Sequence, residues 1–333
     1  MKTSWKSLLL VCSLSAALFA AGELTDPRYD KEMQQAIDLI LKQDYPAAER
    51  ICNSLILKDR NYPAGYFMKM NLIAARFYDL TDTSSLPEFF RLADTLLLLT
   101  GNSEEPIYVF YRGAAYAYLS VIHTKEDRWV SGALNGKKST DIFKKMLKEG
   151  VVSGDVLGMV GTYHYWSSVL MKNFYWLPFI DDRREQGIVE LTVARKNAKY
   201  LQFAIISSLL WIYYDNNRMA EALELCDQVL AAYPGHRIFM QVKMHILYKQ
   251  KAYGPALQLA GALANAYAKL EQVPVNYTAM RIKQALIYYS MGKKKEGDAL
   301  SGEILKVPYS DYMKTRLEKE FQFLDQAKNG NGK

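Results

Sequence analysis

The groups in this chain that could do chemistry are few: four histidines, three cysteines and scattered carboxylates. The histidines are His123, His164, His236 and His245, and no two stand at the spacing that brings two imidazoles to one metal ion. There is no HExxH, no paired-cysteine motif, no GxSxG elbow, no phosphate-binding GxxxxGK[ST] loop and no dinucleotide fingerprint. The one acid–base set on offer is His164 with Asp181 or Asp182. Asp182 has a simpler use, because it precedes Glu185 by three residues at the start of a predicted helix, the spacing of a capping box. The expectation is a non-enzyme with no catalytic, cofactor-binding or metal residues. Cys52 and Cys226 fall on apolar stripes far apart in sequence, which predicts two small buried hydrophobes and no disulfide.

The elements that must carry these residues are predicted to be helices throughout. Three columns recur: Gly187, Ala222 and Ala256; Leu191, Cys226 and Ala260; Ala194, Val229 and Leu263. Successive members lie 34 or 35 residues apart, and within each unit the offsets of four and three mark one helix face. Tyr213 precedes the second unit and Pro234 closes it. An N-terminal unit fits the same scheme with Ala36 and Leu39 on its first helix and Tyr45, Ala48, Cys52 and Leu55 on its second. A weaker unit carries Ala285, Tyr288, Gly292 and Gly297, with Ser301 an imperfect filler. This pattern resembles the tetratricopeptide repeat superfamily, whose period is near 34. The resemblance implies an all-α fold, a right-handed α-solenoid of antiparallel helical hairpins, in which small residues let paired helices approach and stacked neighbours bury what one hairpin cannot.

Residues 125–185 break the period. A glycine-containing connection, "KEDRWVSGALNGKKST", leads to a helix predicted over 138–149, and its lysines read as a solvated face and loop. Gly158 and Gly161 share a helix face, which predicts close approach by a neighbour. Aromatic residues crowd the segment from Tyr163 to Trp176, and Pro178 interrupts the hairpin. This stretch resembles the central region of the inclusion-body clearance group of tetratricopeptide proteins at Arg184, Gly187 and Ile188, with Arg183 where that group has an aspartate. The resemblance implies a scaffold with links to lipid handling. Tyr163, Tyr165, Trp166, Lys172, Trp176 and Arg184 combine ring area with charge and are the candidate partner-binding set.

The N-terminus predicts export. Lys2 and Lys6 precede an uncharged stretch from Ser7 to Ala21, and Ala20, Ala21 and Gly22 supply small residues before polar sequence begins at Glu23. That is the order of a secretory signal, here 1–21, and the apolar run is shorter than the roughly 20 residues of a bilayer span. Its loss lowers the formal charge from +7 to +5. The stretch from Tyr200 to Tyr214 is apolar nearly all round but too short to span, and predicts a buried core helix. Residues 22–327 are expected to form one repeat domain, irregular over 125–185, with 328–333 as a flexible tail. The functional expectation is an exported, periplasmic or secreted scaffold that binds a protein partner through a concave helical surface. A membrane- or lipid-contacting envelope protein, touching lipid through the aromatic 174–180 loop, is the rival. The mild basicity of the chain argues against nucleic acid, and the oligomeric state is open.

Overall fold

The computed structural model describes residues 24–174, 181–270 and 274–329. Among them are sixteen α-helices, one short 3-10 turn and no strand. The expected all-α architecture of neighbour-packed hairpins is what the chain forms. Inter-residue contacts divide it into two compact units: 24–77 with 83–216, and 78–82 with 217–329.

In the first unit, α1 (Asp30–Leu41) and α2 (Tyr45–Lys58) form a hairpin. Asp44 starts α2 by accepting the Ala47 N–H at 3.1 Å, with a proline in the first turn. Then come α3 (Ala64–Leu80), α4 (Leu86–Thr100), α5 (Pro106–Lys125), α6 (Trp129–Lys148), α7 (Gly154–Met171), a 3-10 turn (Lys172–Phe174), α8 (Arg184–Asn197) and α9 (Gln202–Asp215). The last three residues of α3 are assigned by contact to the second unit. As predicted, α9 is a core helix, burying Phe203, Ile205, Leu209, Leu210, Ile212 and Tyr213.

The core of this unit is aromatic. Phe67, Phe110, Tyr111, Phe143 and Tyr200 are fully buried, with ring centroids 5.0–6.2 Å apart from one partner to the next. Buried phenols need acceptors, and Asp26 supplies them: its Oδ2 accepts from Tyr62 at 2.7 Å and Tyr111 at 2.6 Å. Its Oδ1 accepts the backbone N–H groups of Arg28 and Tyr29. The Tyr200 hydroxyl accepts the Asp26 N–H and donates to Asp30. A second buried carboxylate, Asp155, accepts the N–H groups of Lys199, Tyr200 and Leu201 at 2.7–3.1 Å and so fixes the segment that leads into α9.

The glycine-containing connection expected before 138 is helical from Trp129. Its glycines serve packing. A Cβ on Gly132 would lie 2.4 Å from Thr124 Oγ1, and one on Gly136 would lie 2.9 Å from Ser120 Oγ. Close approach of α5 and α6 outweighs the helix-breaking tendency of glycine, about 1 kcal/mol per residue.

The second unit holds α10 (Met219–Ala232), α11 (Arg237–Lys249), α12 (Tyr253–Ala268), α13 (Pro274–Ser290), α14 (Lys294–Leu305), α15 (Asp311–Arg316) and α16 (Glu318–Lys328). The single helix predicted over 310–327 is broken at Leu317. Gly235, at φ +85°, makes the turn between α10 and α11. One cluster joins Met244, Ala256, Ala260, Leu263, Tyr267, Met280 and Ile287. Asp79 belongs to this unit and its side chain is fully enclosed: Arg237 grips both carboxylate oxygens, and Asn276 donates to its backbone carbonyl at 2.7 Å. Asn276, which begins an Asn-Tyr-Thr sequence, therefore has its amide committed to folding contacts. Ser301 is buried and sits 3.1 Å from the Tyr289 hydroxyl, which fits a polar residue to that position of the column.

All nine residues of the three repeat columns are buried. Cys52 and Cys226 are buried free thiols, as predicted, and burial pushes each up to about 12.

Candidate functional site

The irregular hairpin of α7 and α8 is built around glycine. Ser153 starts α7 by accepting the Val156 N–H. Gly158 faces Ile205 and Ala194, and Gly161 meets Gly187 backbone to backbone, where a Cβ on Gly187 would lie 2.6 Å from the Gly161 carbonyl oxygen. This is the neighbour approach that the glycine spacing predicts. It brings two side chains 26 positions apart into contact: His164 Nδ1 lies 2.7 Å from Glu190 Oε2, both nearly excluded from solvent. Gln186 donates to the other Glu190 oxygen at 2.8 Å. With its Nδ1–H given to the carboxylate, the imidazole keeps a buried Nε2 that has no hydrogen-bond partner among the described residues.

The carboxylate of His164 is thus Glu190, and the alternative pairing with Asp181 or Asp182 that the sequence offered does not form. Asp181 lies 3.8 Å from Arg183, and Asp182 engages the Arg184 guanidinium and accepts its backbone N–H at 3.1 Å. Helix α8 begins at Arg184 with Arg183 as the flanking residue, so Asp182 stabilises the first turn from one position further out than a capping box requires. Sequence offset alone hides Glu190, because only the glycine contact sets which turn of α8 faces His164.

The candidate partner-binding residues separate. Tyr165 is buried at 1% exposure, stacks edge-on with Trp166 at 5.1 Å and donates to Asp215 at 2.9 Å. Burial first, and then that carboxylate, push its phenol well above the usual range. Tyr163 and Trp166 are half-buried, Lys172 is exposed, and Arg184 is half-buried against Asp182. Trp176 and the Pro178 interruption lie outside the described residues. Lys144 of α6, one of the lysines read from the sequence as a solvated face, sits 4.7 Å over the Tyr163 ring, and burial followed by Arg183 holds its ammonium below the usual range.

The other histidines pack against rings or in the core. His123 stacks on Phe90 at 5.2 Å, and His236 meets Phe239 edge-on at 4.7 Å. Burial followed by a neighbouring cation lowers all three: Arg128 beside His123, Arg237 beside His236 and Lys283 beside His245, the last two to about 4. A shallow groove of about 370 Å³ runs between α1 and α2, lined by Leu39, Ala47, Arg50, Ile51 and Leu55 and bordered by the Lys58–Glu32 pair.

No family model and no curated protein matches the chain. Among solved structures it is similar to a tetratricopeptide repeat protein from Parabacteroides merdae, at 14% identity over 90% of this chain and 98% of that one, with a TM-score of 0.38. It is also similar to the C-terminal part of a TPR repeat-containing protein from Cytophaga hutchinsonii, at 17% identity over 86% and 99%, with a TM-score of 0.37. The described residues form antiparallel helical hairpins, with buried columns at a spacing of 34 or 35 residues.

Proposed function

We propose that this chain is an exported, non-catalytic scaffold that binds a protein partner in the cell envelope through a concave helical surface. The observation that carries this is the burial of all nine column residues. Small and apolar positions are consumed in hairpin packing, and the polar and aromatic side chains that stay exposed form a surface of the kind that repeat proteins present to partners. Within the α7–α8 hairpin, Tyr163, Trp166, Lys172 and Arg184 are the members of the candidate set with exposed area to offer, while Tyr165 holds the hairpin together. Export rests on the charged, apolar and small-residue order of residues 1–22.

Affinity purification of the tagged protein from its native envelope, after crosslinking, tests the reading. A specific protein partner is expected, and its yield should fall when Tyr163 and Trp166 are replaced by alanine with helicity unchanged. N-terminal sequencing of the same material should begin near Gly22. An intact Met1 in a cytosolic fraction, or small-molecule turnover abolished by His164→Ala with the fold intact, would overturn the proposal.

A further inference from the structure

Helix α6 packs on the first unit through Gly132, Ser139, Thr140, Phe143 and Met146. Its opposite face has an unusual distribution. In the amino-terminal half Trp129, Val130 and Leu134 are 63%, 76% and 59% exposed. Leu134 lies one turn beyond Val130 on the same face, and Trp129 projects from its flank at the start of the helix. In the carboxy-terminal half the solvent side carries Lys137, Lys138, Lys145 and Lys148, with Lys144 half-buried beside them and Asp141 as the one acid. Lys137 pairs with Asp141, and Lys145 reaches Glu104 and Glu149, so these three acids offset part of the charge of the five lysines and leave a net cationic excess with Lys138 and Lys148.

Exposed tryptophan and aliphatic side chains beside lysines on one helix face suit the boundary between water and anionic headgroups. The apolar area is the work of three side chains. That is small beside the roughly 800 Å² that each partner gives to a stable protein interface, yet ample for shallow insertion into acyl chains. Lysines a few ångströms from the surface add attraction to anionic lipid, worth about fivefold in binding for each. We propose that the exposed face of α6 docks on an anionic lipid surface, Trp129, Val130 and Leu134 entering the headgroup boundary and Lys137, Lys138, Lys145 and Lys148 resting on the phosphates. This face adjoins the α7–α8 surface where Lys144 lies over Tyr163, but the residues substituted to test the two are not shared, so either assignment can fail alone.

The test is co-sedimentation of the full chain with vesicles of phosphatidylglycerol and phosphatidylcholine in equal parts, and with vesicles of phosphatidylcholine alone. Any affinity of residues 1–21 for lipid is common to all variants and cancels in the comparison. Trp129→Ser with Leu134→Ser should weaken binding to the anionic vesicles by roughly tenfold. Lys137→Gln with Lys138→Gln should weaken it by up to about twenty-five-fold and flatten its salt dependence. Lys294→Gln with Lys295→Gln, at exposed lysines of the second unit, should change nothing. All substituted side chains are exposed, and circular dichroism confirms that helicity is retained. Equal binding of the apolar double variant and the parent, or equal binding of the parent to both vesicle types, overturns the proposal. So does an acidic protein captured by this face from a chain that binds no vesicles.

Discussion

Gly187 and Gly161 bring α8 and α7 into backbone contact, with no room for a methyl group on Gly187: its Cβ would lie 2.6 Å from the Gly161 carbonyl oxygen and 2.8 Å from the Tyr165 nitrogen. Both clashing atoms are backbone, which cannot rotate away. Gly187→Ala should therefore destabilise the first unit by about 1–3 kcal/mol through overpacking, against the roughly 1 kcal/mol that alanine normally gains inside a helix. Urea denaturation followed by circular dichroism reads the change, and a midpoint at or above that of the parent would refute the contact.

Asp155 predicts a pH effect. Burial pushes its carboxyl up to about 6, against the lowering influence of three backbone N–H donors. Its folded value exceeds the unfolded value of about 3.9, so the stability it contributes is fully present below pH 4 and is lost as pH rises through 6. The loss through this group is on the order of 2–3 kcal/mol between pH 4 and 7. Asp155→Asn should cost stability at every pH, because the amide NH2 would replace Oδ2 and face the Lys199 N–H that this oxygen accepts. The difference in unfolding free energy between parent and variant should shrink as pH rises from 4 to 7. A pH-independent difference would mean that the carboxylate titrates with its ordinary value.

Asp79 and Arg237 predict strong coupling within the second unit. Asp79→Asn and Arg237→Met should each cost about 3–5 kcal/mol, since each leaves a buried partner uncompensated. The double variant should cost less than the two single changes together. Thermal unfolding of the four proteins gives the interaction energy directly, and simple additivity would show that the pair contributes nothing specific.

The thiols offer a direct check on burial. In a Cys12→Ser background neither Cys52 nor Cys226 should react with a disulfide reagent at pH 8 in the folded chain, because burial raises both thiols to about 12. Both should react in denaturant. Rapid modification of either in the native state would place its helix outside the core.

Local physics made much of this protein legible from its residues. Helices wind every 3.6 residues, so the offsets of Leu191 and Ala194 from Gly187 announce one buried face, and the recurrence at Ala222 and Ala256 announces another hairpin of the same kind. The small residues at Gly158 and Gly161 announced a close neighbour for the same reason. Which neighbour, and in what register, depended on packing across the chain. Glu190 reaches His164 only because Gly161 and Gly187 set the rotation of α8 against α7. Gly132 and Gly136 read as a loop until α5 supplied the surface on which they pack. Asp26, Asp79 and Asp155 look like ordinary polar residues in the sequence. Each is committed to donors far along the chain, at Tyr111, Arg237 and Leu201, because a buried carboxylate must find its hydrogen bonds in tertiary space and local pattern carries no record of where those donors lie.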